Sequence, residues 1–169
     1  MNPIISVIRE HLRSENLALM ESDDPDVVVA VLNTSLCRYL ISFNHLPSQK
    51  RLEIHGLYPV SVPAERRSVV AEFLTRINWG IKAGAFQMDW SDGELRFLRV
   101  CEVEGEPTRD KVGEWVVAVC VAFDGFHRAL MSLIYRQASA DHAVEQGQAE
   151  FLRLVAQVTR PGEEPGNPE

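Results

Sequence analysis

The spacing of apolar side chains changes several times along the chain, and each change predicts an element. Asn2, directly before a proline, forms a strong helix start, since its side chain can cap free backbone N–H groups. Ile5, Ile8 and Leu12 then fall on one face at helical spacing. This pattern predicts a short first helix that ends near Asn16.

Strand patterns dominate the next part of the chain. A continuous β-branched run at residues 27–32 is typical of a strand that is covered on both faces. Residues 37–44 and 51–58 alternate between two sets of side chains, as half-buried antiparallel strands do. With a shorter strand at residues 17–21, the pattern predicts a group of three or four strands.

Helical spacing returns at residues 63–78, where apolar positions oppose charged ones along an amphipathic helix. Two strands follow, at residues 86–90 and 94–103, joined by a short loop whose glycine accepts left-handed geometry. A second, longer helix begins after Thr108, a suitable N-cap, and its apolar positions continue to Ile134. This region therefore adds a helix, two strands and a helix.

The order of these elements predicts an α+β fold, in which helices pack on one face of an antiparallel sheet. We predict one such domain over residues 1–138 and an appended amphipathic helix over residues 139–158. Residues 159–169 contain three prolines and no aromatic side chain, so they cannot bury enough surface to offset the entropy of ordering. We predict a flexible acidic tail there.

Composition narrows the class of protein. The 46% hydrophobic and 24% charged residues are typical of a soluble globular protein, and no uninterrupted apolar run reaches the roughly 18 residues of a membrane span. Together with an N-terminus that lacks a signal-peptide pattern, this predicts a cytoplasmic protein without a membrane partner. The net charge of −7 offers no basic excess, so a nucleic-acid partner is not expected either.

No catalytic, metal-binding or cofactor-binding motif stands out, and we predict no catalytic residue, no metal, no cofactor and no enzymatic activity. The three cysteines lack the spacing of a disulfide framework or a zinc site. The pairs Asp124 and His127, and His142 and Glu145, have a helical spacing that can hold a metal in a bundle. Since the additional carboxylates of such a site are missing, we interpret both pairs as solvent-exposed.

The long helix carries almost no polar side chain between Trp115 and Phe123, although covering one sheet needs only an apolar stripe. Either the appended helix or a second copy of the chain covers the other side, and the sequence leaves both open. Val117 and Val121 are therefore candidates for a dimer interface.

The segment from Asn78 to Phe97 holds two of the three tryptophans. Phe86 and Trp90 share one side of the predicted strand, and we expect them to point into the core or an interface. Trp79, next to the predicted helix end, is a candidate for surface recognition.

Residues 62–97 resemble the YbjN-domain family, described as bacterial sensory transduction regulators. The shared pattern is a helix after Val-Pro with an Asn at its end, then Gly-x-Phe, an Asp-Gly turn and a strand. The matching residues are Pro63, Asn78, Gly84, Phe86, Asp92 and Gly93. The resemblance implies the fold of type III secretion chaperones, small acidic homodimers that bind unfolded segments of partner proteins, and it supplies no catalytic residue.

Three functional hypotheses follow. The first is a non-enzymatic chaperone-like or regulatory module, dimeric, that binds another protein through a hydrophobic groove or a sheet edge. The second is a signalling regulator that senses an unidentified small molecule between sheet and helices, near Trp79 and Trp90. The third is an enzyme whose acid and base residues lie far apart in sequence.

Overall fold

The elements follow the order helix, four strands, helix, two strands and two helices. The computed structural model describes residues 2–159. In chain order the elements are α1 (Pro3–Ser14), β1 (Ala18–Met20), β2 (Val27–Asn33), β3 (Arg38–Leu46), β4 (Arg51–Leu57), α2 (Arg67–Asn78), β5 (Ala85–Met88), β6 (Leu95–Glu102), α3 (Arg109–Tyr135) and α4 (Ala140–Thr159). Short 3-10 helices lie at Pro47–Gln49 and Ala64–Arg66.

The six strands form one antiparallel sheet in the order β1-β2-β3-β4-β6-β5. After β4 the chain passes through α2 to the sheet edge, forms β5 there, and returns as β6 between β5 and β4. Side chains of Ile41, Phe43, Leu52 and Ile54 are fully buried on one face of the sheet. They join one hydrophobic core with the buried faces of α1, α2 and α3, while α4 packs on α3 and α2. The predicted α+β fold with helices on one face is confirmed.

Helix α3 packs tightly on β4 at Gly56. A Cβ atom at Gly56 would lie 2.2 Å from Phe123 Cε2 and 2.7 Å from Val119 Cγ1, so only glycine leaves room for the helix there. The ring of Tyr39 stacks on Phe123 with centroids 4.5 Å apart. The inner face of α3 therefore lies directly against the backbone of the sheet.

Helix α3 is long and apolar enough to resemble a membrane-spanning helix in composition. By length and by a mean hydropathy of 1.5 over 18 residues, α3 is the one helix within residues 2–159 that could cross a membrane, and half of that window is buried. A core helix meets the same criteria, because it needs apolar residues on the sides that neighbouring elements cover.

Helix α4 covers part of the side of α3 that faces away from the sheet. Of the two alternatives for covering this side, the appended helix and a second copy of the chain, the appended helix therefore accounts for that part. Phe151 stacks on Phe126 with centroids 5.0 Å apart. A Cβ atom at Gly125 would lie 2.9 Å from Phe151 Cα, and one at Gly147 would lie 2.7 Å from Phe126 Cδ1. Two glycines thus allow the two antiparallel helices to approach closely.

Several details differ from the sequence predictions. The β-branched run of β2 is covered on one face only, and Val27 and Val29 on the other face are half-buried. Strand β5 ends at Met88, so Trp90 lies in the following turn and not on the strand. Helix α4 extends to Thr159, and the predicted acidic tail beyond it lies outside the described residues.

Candidate functional site

One face of the sheet carries no helix within residues 2–159, and we call it the open face. It consists of the strand residues that point away from the core. Its apolar members are Met20, Val27, Val29, Val31, Leu40, Leu46, Leu57, Leu98 and Val100, and its polar members are Arg38, Ser42, Asn44, Arg51, Glu53, His55, Gln87, Arg96 and Glu102.

The centre of the open face is an apolar patch. In the register of the sheet, Val31 lies opposite Leu40, and Leu40 lies opposite Leu57, so three side chains on adjacent strands form a row. In the next row, Leu98 lies opposite His55. Val31 is 9% exposed, and Leu40, Leu57 and Leu98 are half-buried, because neighbouring side chains of the sheet shield one another although no element within residues 2–159 covers them. Contiguous exposed apolar patches are typical of interaction sites.

Polar atoms on the same face lack partners. Arg51 Nη2 donates to Glu53 Oε1 at 2.6 Å, and His55 Nε2 lies 3.4 Å from Glu53 Oε2. Within residues 2–159, Asn44 Oδ1 and Arg51 Nε are shielded from solvent and have no hydrogen-bond partner. Because these two atoms are shielded, a bound chain would contact the exposed parts of the same side chains and not these atoms.

A second polar group lies on the helix side and connects the sheet to α3. Asp124 Oδ1 accepts hydrogen bonds from Thr34 Oγ1 and from the Tyr39 hydroxyl, each at 2.8 Å. The Tyr58 hydroxyl is hydrogen-bonded to Nδ1 of His127. The interpretation of Asp124 and His127 as solvent-exposed is therefore wrong. Both are half-buried, because the turn before β3 and the end of β4 bring hydrogen-bonding groups to the helix.

Burial favours the neutral forms of Tyr39, Tyr58 and His127 in this group. Burial raises the pKa of Tyr39 and Tyr58, so both remain phenols at neutral pH. Burial also lowers the pKa of His127, against an opposing effect of the Asp124 charge. Burial raises the pKa of Cys120 to about 11, which keeps this thiol protonated. Such an arrangement fixes the position of α3 on the sheet and provides no activated nucleophile.

Within residues 2–159, no group of three or more His, Cys, Asp or Glu side chains is arranged to hold a metal ion. The three cysteines are half-buried free thiols.

The residues that the sequence singled out lie in separate places. Phe86 is 3% exposed and packs against Phe97 in the core, so its side chain cannot contact a partner directly. Trp79 is 95% exposed just after α2. Trp90 is 59% exposed beside a cavity of about 420 Å³. The cavity is lined by Gln87, Met88, Asp89, Trp90, Glu94 and Arg96, and Trp79 is not among these residues.

The remaining two candidates lie on α3. Val117 is 43% exposed and Val121 is half-buried, on the part of the helix before its contact with Phe151. Because α3 and α4 run antiparallel with Gly125 beside Phe151, Val158 lies near the level of residue 118. Val158 is 54% exposed at this level of the helix pair.

The open face was not predicted from the sequence. Leu40 is an apolar residue on the polar side of the alternating pattern in β3, and this position was the one indication of an apolar patch in that strand. Only the pairing of β3 with β2 and β4 shows that Leu40 lies between Val31 and Leu57.

The fold and these surfaces define a small α+β protein with a one-sided antiparallel sheet. A family model described as "Putative bacterial sensory transduction regulator", the YbjN family, matches residues 5–131. The chain belongs to the YbjN family.

Two solved structures are similar to the chain, each at 12% identity and a TM-score of 0.49. The crystal structure of YbjN from E. coli matches over 91% of this chain and 93% of that chain. A chain of the HopA1-SchA chaperone-effector complex matches over 73% of this chain and 91% of that chain. A comparison with curated proteins gave no match.

Proposed function

We propose that this chain is a non-enzymatic chaperone-like or regulatory module that binds an apolar segment of a partner protein on its open face. The observation that carries the proposal is the row of Val31, Leu40 and Leu57 across three adjacent strands with no covering element in the described chain. Apolar area left in water on a sheet face favours association at about 25 cal/mol per Å² of the area that a partner buries.

The charges around the apolar patch favour a protein over a polyanion. Arg51 and Arg96 lie on the open face together with Glu53 and Glu102, so both signs are present. Phosphate backbones require a basic excess, whereas protein interfaces combine an apolar centre with a mixed polar rim.

The size of the open face favours a segment over a large globular surface. Six strands at spacings of about 4.8 Å, three to nine residues long with a mean of about six at ~3.4 Å per residue, span roughly 24 Å by 21 Å. Covering this face would bury on the order of 1,000 Å² over both partners, at the lower limit for a specific interface. A helix or an extended segment of a partner protein fits this area.

The proposed module is a homodimer through the helix layer, which leaves the open face available. Val117, Val121 and Val158 form the apolar surface for a second copy. A cytoplasmic location and the absence of catalysis belong to the same proposal and stay predictions from composition and motifs.

Site-specific crosslinking tests the occupant of the open face. A photoreactive amino acid replaces Ser42, in the row next to Leu40, and a control carries it at Ser68, an exposed serine on α2. We expect a defined partner protein to crosslink in cells at Ser42 and not at Ser68, and the yield to fall at least tenfold in Leu57→Lys.

Other outcomes would contradict the proposal. If the Ser42 position crosslinks only to a second copy of the chain, the open face is a self-association surface. If the Ser42 and Ser68 positions crosslink to the same proteins with equal yield, the open face does not recognise a partner. Circular dichroism of Leu57→Lys, compared with the wild type, shows whether the fold is retained.

A further inference from the structure

An open cavity of about 710 Å³ lies beside the second half of α3, on the side where α4 begins. Its walls come from α3, from the first turns of α4, from the loop between them and from the turn before β3. This volume is within the range of small-molecule sites in proteins. The cavity is separate from the open face, which lies on the other side of the sheet.

The lining of this cavity is cationic in an acidic protein. Among residues 2–159, Arg128 and Arg136 line it together with His127 and His142, and no aspartate or glutamate does. The chain as a whole has a net charge of −7. The charge of this lining is therefore opposite in sign to the net charge of the chain.

The two guanidinium groups are available for a ligand. Within residues 2–159, neither Arg128 nor Arg136 has a carboxylate within salt-bridge distance. The carboxylate of Glu150 accepts two hydrogen bonds from Arg153, at 2.7 and 2.9 Å, and these lower its pKa more than the charge of Arg128 does. Planar guanidinium groups bind carboxylate and phosphate oxygens in a bidentate manner.

The other residues that line the cavity add both polar groups and apolar surface to it. Because Nδ1 of His127 is held by the Tyr58 hydroxyl, Nε2 is the ring nitrogen left for a ligand. Gln146 of α4 adds an amide, while Leu36 and Met131 supply apolar surface. The combination suits a molecule with an anionic group and a compact hydrocarbon part.

From this geometry we infer that the cavity between α3, α4 and the turn before β3 binds a small organic oxyanion, held by Arg128 and Arg136. The ligand class is an organic carboxylate or phosphate ester. This inference does not depend on the proposed protein-binding function, since it concerns different residues and a different class of ligand.

Isothermal titration of the full chain with three matched probes tests the inference. The probes are phenyl phosphate, benzoate and the uncharged benzamide, at constant ionic strength. We expect the two anions to bind with millimolar or lower Kd and benzamide to bind at least tenfold more weakly. The relative affinities of phenyl phosphate and benzoate identify the preferred oxyanion.

Substitutions test whether Arg128 and Arg136 hold the bound anion. Arg128→Gln and Arg136→Gln are each expected to weaken anion binding at least tenfold, and Arg128→Lys to restore part of it. Arg109→Gln, an exposed arginine near the start of α3 that pairs with Glu10 at 3.7 Å, serves as the control and should leave binding unchanged. Circular dichroism checks that each variant folds.

Two results would overturn the inference. The first is no binding of either anion at 10 mM, a concentration on the order of weak fragment binding. The second is equal binding to the wild type and to both glutamine variants. Neither result would affect the crosslinking test of the open face.

Discussion

At the scale of single residues, Gly56 shows how one missing side chain positions the longest helix. The atoms that a Cβ would meet belong to Phe123 and Val119, which are fully buried and cannot move into solvent. Overpacking of a core costs typically 1–3 kcal/mol. We expect Gly56→Ala to lower the free energy of unfolding by about 2 kcal/mol or more, measured by urea denaturation.

Gly105→Ala is the matched control, since nothing lies within 4 Å of a Cβ at that position. Its free energy of unfolding should stay within about 0.5 kcal/mol of the wild type. Equal effects of the two substitutions would show that the contact between β4 and α3 is not tightly packed.

His127 gives the fold a pH dependence whose sign follows from burial. Burial, with a smaller effect of Arg128, lowers the pKa of His127 below its usual 6.5, and Asp124 only partly opposes this. As the pH falls below 6.5, the unfolded chain therefore takes up a proton that the folded chain does not. We expect the urea midpoint to decrease from pH 7 to pH 5.

His127→Asn separates this contribution from that of the other histidines. Asparagine places a polar atom near the position of Nδ1, so it can retain a contact with Tyr58 without titrating. The urea midpoint of the variant should fall less over the same pH range. A fall as steep as that of the wild type would assign the pH dependence to other groups.

At the scale of elements, α4 is held on α3 by one aromatic contact next to two glycines. Phe151 is half-buried against Phe126, so truncating it removes less than the 3–5 kcal/mol of a fully buried phenylalanine. We expect Phe151→Ala to lower the free energy of unfolding by about 2 kcal/mol, measured by urea denaturation.

The neighbouring Leu152 provides the control for this prediction. It is 64% exposed on the same helix, and Leu152→Ala should cost less than about 0.5 kcal/mol. A cost for Leu152→Ala as large as that for Phe151→Ala would indicate that the outer side of α4 is covered as well.

At the scale of the whole molecule, substitutions in the helix layer and on the open face test separately which surface forms a dimer. If Val117 and Val121 form the proposed dimer interface, light scattering should give twice the 19.0 kDa mass of one chain. The double variant Val117→Glu and Val121→Glu should give the mass of one chain, because charges in an apolar interface are costly to desolvate.

Leu40→Lys, on the opposite side of the molecule, is the control and should leave the mass unchanged. A wild-type mass of one chain at micromolar concentration would contradict the dimer. A loss of mass in Leu40→Lys alone would place the interface on the open face.

Much of the fold could be predicted because the helices, strands and turns follow from patterns that are local in the sequence. Asn2 caps α1 by accepting hydrogen bonds from the backbone N–H groups of Ile4 and Ile5, at 3.0 and 3.3 Å, and Thr108 caps α3 through Lys111 N at 3.2 Å. These caps, the changes of period and the glycine of the last hairpin loop depend on neighbours in sequence, so they can be predicted without the fold.

The surfaces depend on contacts between residues that are distant in sequence. Phe86 has the pattern of a strand residue, but its burial follows from the aromatic rings of β6 and α3 packed around it. Likewise, Asp124 and Thr34 are 90 positions apart and meet only because α3 packs on the sheet. No periodicity distinguishes such a pair from two exposed residues.

The amino-acid sequence by itself thus determined the order of the elements, their caps and the family pattern, because these follow from side-chain spacing and local backbone preferences. The tertiary structure alone decided that one sheet face remains open within residues 2–159, that α4 covers part of the second side of α3 and that two arginines and two histidines line one cavity. The physical reason is that burial and charge environment are set by the elements packed around a residue.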